Sequence, residues 1–364
     1  MKPRLRIALL DANPQWGGGE RWFLDAARAL LERGHELRLV AAEEAPLFER
    51  FRELGAPVIP DHRIADAFAD PVPAVALANS GREVRAALRG AAELRSAARA
   101  RTRLVLRRGI DRPLANHWFR RRSWRRLSAI LVNSDATGRT VRDSLPWFPE
   151  ERIRRIHNPV TFEPAPRSPA PPGGEDPPFR IGVVARLVRQ KGLDVLFEAL
   201  AKLTPEDEPW TLDIAGDGKL RGELEELARR LEIADRVRFA GHVDALAPFY
   251  GSLDALVVPS RYEGFGFVAA EGLKAGLPVI ASRTSSLPEI VDPGETGILV
   301  PPDDPEALAT AIRALAADPV KAAAMGTLGQ ERASARFAPA PLHDALEDAL
   351  AWAAGLPPVG RTRK

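Results

Sequence analysis

The chain has 364 residues, an apolar fraction of 45 %, no cysteine and a formal net charge of +3. That length exceeds a single hydrophobic core and predicts two domains, and the apolar content is that of a folded globular protein. Without cysteine, disulfides and thiolate metal sites are excluded; no apolar window approaches a membrane span and Ile7–Leu10 is too short for a signal-peptide core, so a soluble or peripheral cytoplasmic protein is expected.

Strand-length apolar runs occur at 5–10, 37–42, 103–106 and 129–132, and helical periodicity at 20–33, 82–99 and 135–144. Such alternation predicts a parallel sheet covered by helices on both faces. Between the first strand and its helix lies Asn13-Pro14-Gln15-Trp16-Gly17-Gly18-Gly19-Glu20. Gly17, Gly18 and Gly19 suit a backbone nest for an anion or a closely approaching ligand, with a flexible turn as the alternative. The glycine spacing is not the dinucleotide fingerprint.

From Arg82 to Arg126 fifteen arginines face only Glu83, Glu93 and Asp111, which leaves the rest of the chain net acidic. A block this basic is a solvated face or a surface for an anion. Its candidate partners are an anionic membrane surface, a phosphorylated or lipid-linked acceptor, or nucleic acid. Trp118, Phe119 and Trp124 interleave with its arginines and keep nucleic acid open, although ranked below a membrane.

Seven prolines between Glu163 and Pro178 cannot build a packed element and predict a linker. The resulting division is a first domain over 1–163, a proline-rich linker over 164–178 and a second domain over 179–341. In the second domain the alternation restarts. Strands are expected at Phe179–Ala185, Trp210–Ala215, Val237–Ala240, Ala255–Val258, Val279–Ser282 and Ile298–Val300, with helices at Gly192–Leu203 and Lys219–Glu232. An amphipathic stretch at Leu342–Trp352, within a helix over about 342–356, is expected to pack back onto the first domain. The Arg361–Lys364 tail is expected to be disordered.

In doubly wound units ligands bind at the carboxyl ends of the strands. Three such ends in the second half carry chemistry. In Ser260-Arg261-Tyr262-Glu263-Gly264-Phe265-Gly266-Phe267-Val268-Ala269-Ala270-Glu271, two carboxylates bracket a glycine-punctuated turn after an apolar strand. Gly264 and Gly266 allow close backbone approach. A helix starting there favours an anion, and Glu271, a few turns along it, suits sugar hydroxyls. After the strand ending near Ala185, Arg186 and Lys191 are placed to converge on a phosphate. Gly216-Asp217-Gly218 and Gly241-His242 close two further strands; turn chemistry alone explains the first, and His242 reads equally as a capping or a ligand-contacting residue.

Gly182-Val183-Val184-Ala185-Arg186 with Lys191-Gly192, Ile214–Gly218, Val237–Gly241, Glu263–Glu271, Ala275–Ala281 and Glu289–Val291 with Gly294–Gly297 together resemble the retaining GT-B glycosyltransferases of family 4, the group 1 type. The resemblance covers most of 180–315. In the first domain it rests on Gly17–Glu20 and Arg33–Glu36. It implies an α/β GT-B fold of two doubly wound Rossmann-like domains facing a central cleft. It also implies sugar transfer from a nucleotide-diphosphate-sugar, and the arginine-rich face suggests a cell-envelope acceptor such as a lipopolysaccharide core or another lipid-linked glycan, on the inner face of the cytoplasmic membrane.

By the same resemblance Arg186, Lys191 and Glu263 would be catalytic. Glu271 would hold the ribose, Glu263 with Gly264, Phe265, Gly266 and Phe267 the donor sugar, and Gly216, Arg238, Gly241 and His242 the remainder of the donor. Gly17, Gly18 and Gly19 would line the acceptor and phosphate side. Many relatives carry a histidine after the strand that corresponds to Arg103–Leu106; here Arg107 and Arg108 follow, and an arginine there could orient or stabilise charge but not act as a base. No Asp-x-Asp pair occurs, so neither a metal nor another cofactor is expected. The rival readings are a GT-B-like nucleotide-sugar epimerase, hydrolase or phosphorylase, and a non-catalytic anion- or nucleic-acid-binding protein that uses the 82–126 segment.

Overall fold

The structure, a computed structural model, describes residues 3–93, 101–166, 178–203 and 209–356. Expectations that fall on 94–99, 167–177 and 361–364 lie outside them. Two compact units emerge, one made of Met1–Pro159 with Pro339–Lys364, the other of Val160–Ala338.

The first unit holds a seven-stranded sheet in the order β3-β2-β1-β4-β5-β6-β7. Its strands are β1 (Arg6–Asp11), β2 (Glu36–Ala41), β3 (Val58–Pro60), β4 (Val75–Ala78), β5 (Arg103–Arg108), β6 (Leu127–Val132) and β7 (Ile153–Arg155). Every pairing is parallel. The helices are α1 (Gly18–Glu32), α2 (Pro46–Arg52), α3 (Gly81–Glu93), α4 (Trp118–Trp124) and α5 (Asp135–Ser144).

A parallel sheet is buried on both faces, so its strands read as continuous apolar runs whose alternate residues serve opposite cores. In β1, Ile7 and Leu9 join Phe23, Leu30, Phe51 and Val105 on one face, while Ala8 and Leu10 join Phe68, Ala76, Leu106 and Ile130 on the other. β3, β4 and β7 were not anticipated. They have three or four residues, and the central β4 reads Val-Ala-Leu-Ala, poor in the β-branched side chains that announce a strand.

The second unit holds a six-stranded sheet in the order β10-β9-β8-β11-β12-β13. Its strands are β8 (Phe179–Val184), β9 (Trp210–Ala215), β10 (Val237–Gly241), β11 (Ala255–Val258), β12 (Val279–Ser282) and β13 (Gly297–Val300). All six lie where the apolar runs predict, within a residue at each end. Around them run α6 (Leu193–Leu200), α7 (Arg221–Arg230), α8 (Leu246–Gly251), α9 (Phe267–Lys274), α10 (Pro305–Ala316) and α11 (Pro319–Arg336).

The closing helix, α12 (Pro339–Ala353), belongs to the first unit. Leu346, Ala349 and Leu350 enter the core beside Phe23 and Leu30. Polar contacts fix its register. The Leu5 N–H donates to His35 Nδ1 at 3.1 Å, so Nε2 carries the proton and donates to Glu347 at 3.2 Å. His343 meets Asp25 at 2.8 Å.

Candidate active site

In an open α/β sheet the crevice for a ligand forms where strand order reverses, outside the carboxyl ends. In the second unit the reversal lies between β8 and β11. Lys191 follows β8, Glu263 follows β11, and Lys191 Nζ donates to Glu263 Oε2 at 2.6 Å. Ser260 Oγ donates to the same oxygen at 3.1 Å, and the Gly264 N–H to Oε1 at 3.3 Å. Both partners are mostly enclosed, with side-chain exposures of 15 % and 14 %.

The two loops interlock through backbone. The Arg261 N–H donates to the Gln190 carbonyl at 2.9 Å, and Gln190 Nε2 to the Tyr262 carbonyl at 3.0 Å. Gly192 sits between them at φ +64°, where a Cβ would stand 2.1 Å from the Pro259 carbonyl oxygen. Only glycine satisfies both the left-handed backbone and that approach. Arg261 braces the far side with a two-pronged pair to Asp194 at 2.9 and 2.8 Å.

Gly266, at φ +91°, caps α9, and Phe267 is its first residue. Glu271 is the fifth, just over one turn in rather than a few turns along as expected. It is 2 % exposed and accepts from Tyr250 Oη at 3.1 Å. Phe265 is buried, and its carbonyl is held by Ser286 Oγ at 2.7 Å. Arg186 is exposed and makes no side-chain hydrogen bond or ion pair among the described residues. Lys191 is instead taken by Glu263, so the two cations do not converge in this state.

The Gly216 turn is brought to the same strand end. Its N–H donates to the Gly241 carbonyl at 2.6 Å, and at φ +137° a Cβ there would meet the Ala185 carbonyl oxygen at 1.9 Å. The two remaining donor-side residues each have an acidic partner. Arg238 lies three residues before the end of β10, paired with Asp213 on β9. The side chain of His242 is 81 % exposed and pairs with Asp244 at 3.2 Å.

The reversal of the first sheet lies between β1 and β4, and there the structure assembles a buried polar network. Asn79 Nδ2 donates to Asp11 Oδ2 at 2.9 Å. Arg107 donates to Asn79 Oδ1 at 3.2 Å and to Asn158 Oδ1 at 3.1 Å, and its guanidinium stacks 4.3 Å from the Trp22 ring centroid. Asn13 Nδ2 donates to Glu20 Oε1 at 2.6 Å. Asp11, Glu20, Glu83 and Arg107 are all at most 4 % exposed.

Burial, then the neighbouring Glu20, pushes the Asp11 carboxyl up to about 7. Burial lowers Arg107 to about 10, with Asp11 and Glu20 opposing that shift, so it remains a cation at neutral pH. Arg108, on the opposite face of β5, is drawn away to the Arg112 carbonyl at 2.7 Å. The glycine loop differs from the expected nest. Only Gly17 precedes α1; Gly18 and Gly19 are its first two residues, and a Cβ on Gly17 would stand 3.2 Å from Glu20 Oε2. The anion-favouring helix end is thus shared with a carboxylate. Asp11, Asn79 and Asn158 were missed by sequence reasoning. The one local signal, for Asp11, is an acid closing an apolar strand.

Two doubly wound parallel sheets, each gathering charged side chains at its reversal point, make an α/β protein of the GT-B fold. The chain belongs to the group 1 glycosyltransferases: the family described as glycosyl transferases group 1 matches residues 167–332, and Glycosyltransferase Family 4 matches residues 16–164. Over 148 residues it is 38 % identical to the uncharacterized glycosyltransferase MJ1607 of Methanocaldococcus jannaschii, covering 40 % of this chain and 38 % of that one. Over 173 residues it is 32 % identical to the lipopolysaccharide core biosynthesis mannosyltransferase LpsB of Rhizobium meliloti, covering 45 % and 49 %. The chain therefore spans no more than half the length of these two relatives. In fold it is similar to Anabaena Alr3699/HepE, solved in complex with UDP and glucose, with a TM-score of 0.78 over 96 % of this chain and 100 % of that one at 20 % identity.

Proposed function

We propose that the protein transfers a sugar from a nucleoside-diphosphate-sugar to a cell-envelope glycan, with retention of anomeric configuration and without a metal. The observation that carries the reading is the Lys191–Glu263 pair across the β8/β11 reversal, with Glu271 in the first turns of the adjoining α9. Glu271 accepts from the ribose hydroxyls. Glu263, Gly264 and the backbone through Phe267 receive the donor sugar, and Gly216 with Gly241 borders the remainder of the donor. The bond from the sugar's anomeric carbon to the diphosphate breaks, and a bond to the acceptor oxygen forms. The acceptor proton passes to the departing diphosphate, while Arg186 and Lys191 stabilise the charge that builds there.

The acceptor half of the reading rests on the first unit's reversal point, where Asp11, Glu20, Asn13 and Asn79 offer the mixed acceptors and donors that sugar hydroxyls require. Arg107, fixed by Asn79 and Asn158, contributes orientation and positive charge. The name of LpsB supports an envelope glycan, and the UDP complex of HepE supports a nucleotide donor. A lipid-linked acceptor at an anionic membrane surface on the cytoplasmic side fits the exposure of Trp118 and Phe119, 70 % and 63 %, beside Arg120, Arg121 and Arg122. No described helix is long and apolar enough to cross a membrane.

The test is product analysis with envelope glycans and a panel of nucleotide-sugars. Lys191→Ala and Glu271→Ala are expected to lower transfer at least a hundredfold with folding intact, EDTA to leave it unchanged, and NMR of the product to show the donor's anomeric configuration. Retained turnover in both variants would sink the assignment.

A further inference from the structure

At the opposite end of the first sheet from Asp11 and Arg107, the amino-terminal ends of β5, β6 and β7 and the end of α12 enclose an open pocket of about 580 Å³. Its charged lining is Arg103, Arg125, Arg126 and Arg152. We infer that this pocket is a binding site for a phosphate-bearing anion, separate from the donor site.

All four arginines are exposed, and among the described residues none has a carboxylate partner. Some surface arginines of the same unit do find one: Arg82 meets Asp61 at 3.2 Å, Arg155 meets Asp135 at 3.2 Å and Arg33 meets Asp344 at 3.1 Å. Among the described residues the Arg125 side chain has only an aromatic contact, 5.7 Å over Trp147. A solvated face would spread like charges apart. Here four guanidinium groups ring one concavity, within the roughly 300–1,000 Å³ of small-ligand pockets.

Among the described residues no side chain neutralises them. The end of α12 contributes the equivalent of about half a negative charge, and its last carbonyls are already capped. The Ala354 N–H donates to the Leu350 carbonyl at 2.9 Å, Gly355 to Trp352 at 3.0 Å and Leu356 to Ala351 at 3.0 Å, with Gly355 at φ +83°. The Trp352 ring, which lines the pocket, is covered on one face by Arg154 at 3.8 Å. What remains is a set of planar donors, matched in shape and charge to phosphate oxygens. Far from the reversal point, the anion is a ligand that tethers or regulates, not a substrate.

The experiment titrates pyrophosphate, and separately vesicles of phosphatidylglycerol or phosphatidylcholine, into the full chain. It is repeated with Arg186→Gln/Lys191→Gln, which removes the two donor-site cations, with Arg126→Gln/Arg152→Gln in the pocket, and with Arg28→Gln/Arg139→Gln, two exposed arginines outside it. Circular dichroism monitors folding of each. Pyrophosphate binding that survives Arg186→Gln/Lys191→Gln and Arg28→Gln/Arg139→Gln but weakens about a hundredfold in the pocket variant establishes the site for a soluble phosphate. The same pattern seen only with phosphatidylglycerol vesicles establishes it for a lipid headgroup. Binding equal in the pocket variant and the wild type, equal loss in the outside variant, or no binding to either probe overturns the inference.

Discussion

Replacing Glu263 by glutamine should tighten binding of a nucleoside diphosphate while impairing sugar transfer. The Glu263 carboxylate lies 2.6 Å from Lys191 Nζ. A diphosphate oxygen held by the same ammonium adds a charge-assisted contact of about 2.8 Å. The two anions therefore stand about 5 Å apart, and at an effective dielectric between 80 and 20 they repel by about 1 to 3 kcal/mol. The enclosed position of both side chains favours the upper part of that range. Glutamine preserves shape and can still accept from Ser260, but carries no charge. The expected gain is roughly fivefold to a hundredfold in affinity for the diphosphate, read by isothermal titration. Transfer should nonetheless fall, because the carboxylate is lost from the sugar. Adding Lys191→Gln should erase the gain, since the cation that gathers the two anions is then gone. Unchanged or weaker diphosphate binding by folded Glu263→Gln protein would refute the reasoning.

Two other perturbations address the scaffold. Burial and Glu20 hold the Asp11 carboxyl up at about 7 against its ordinary 3.8, so its contribution to stability is complete below about pH 4 and is lost as pH rises to 7. The loss is about 4 kcal/mol at most. In Asp11→Asn it is absent, and denaturant titrations at pH 5 and pH 8 should show the wild type losing about 2 to 3 kcal/mol relative to the variant. At Gly192, alanine would add about 1–2 kcal/mol of left-handed strain and drive a Cβ to 2.1 Å from the Pro259 carbonyl oxygen. Gly192→Ala should lower the denaturation midpoint and weaken diphosphate binding together, whereas a midpoint within error of the wild type would mean the two loops separate freely.

Sequence legibility tracks how local each signal is. The six strands of the second unit announce themselves because each is an apolar run bounded by turn residues, and Gly192, Gly216 and Gly266 mark real left-handed backbone. The Lys191–Glu263 pairing was not legible, since 72 positions separate its members and only the β8/β11 reversal brings them together. The same holds for Asp11, Asn79, Arg107 and Asn158, whose contacts span 68, 28 and 51 positions. Arg107 could be singled out as an odd cation after a strand, but not as a buried one. Arg238 marks the converse limit: its place beside a strand end in sequence does not show that its side chain pairs with Asp213 on the neighbouring strand.

Thermal denaturation in the presence of UDP, GDP, ADP and CMP tests most directly whether this protein uses a nucleoside-diphosphate donor. At about a hundred times its dissociation constant, the cognate diphosphate should stabilise the wild type by roughly 2.7 kcal/mol, and the shift should shrink in Glu271→Ala. A protein unmoved by all four nucleotides would contradict the account.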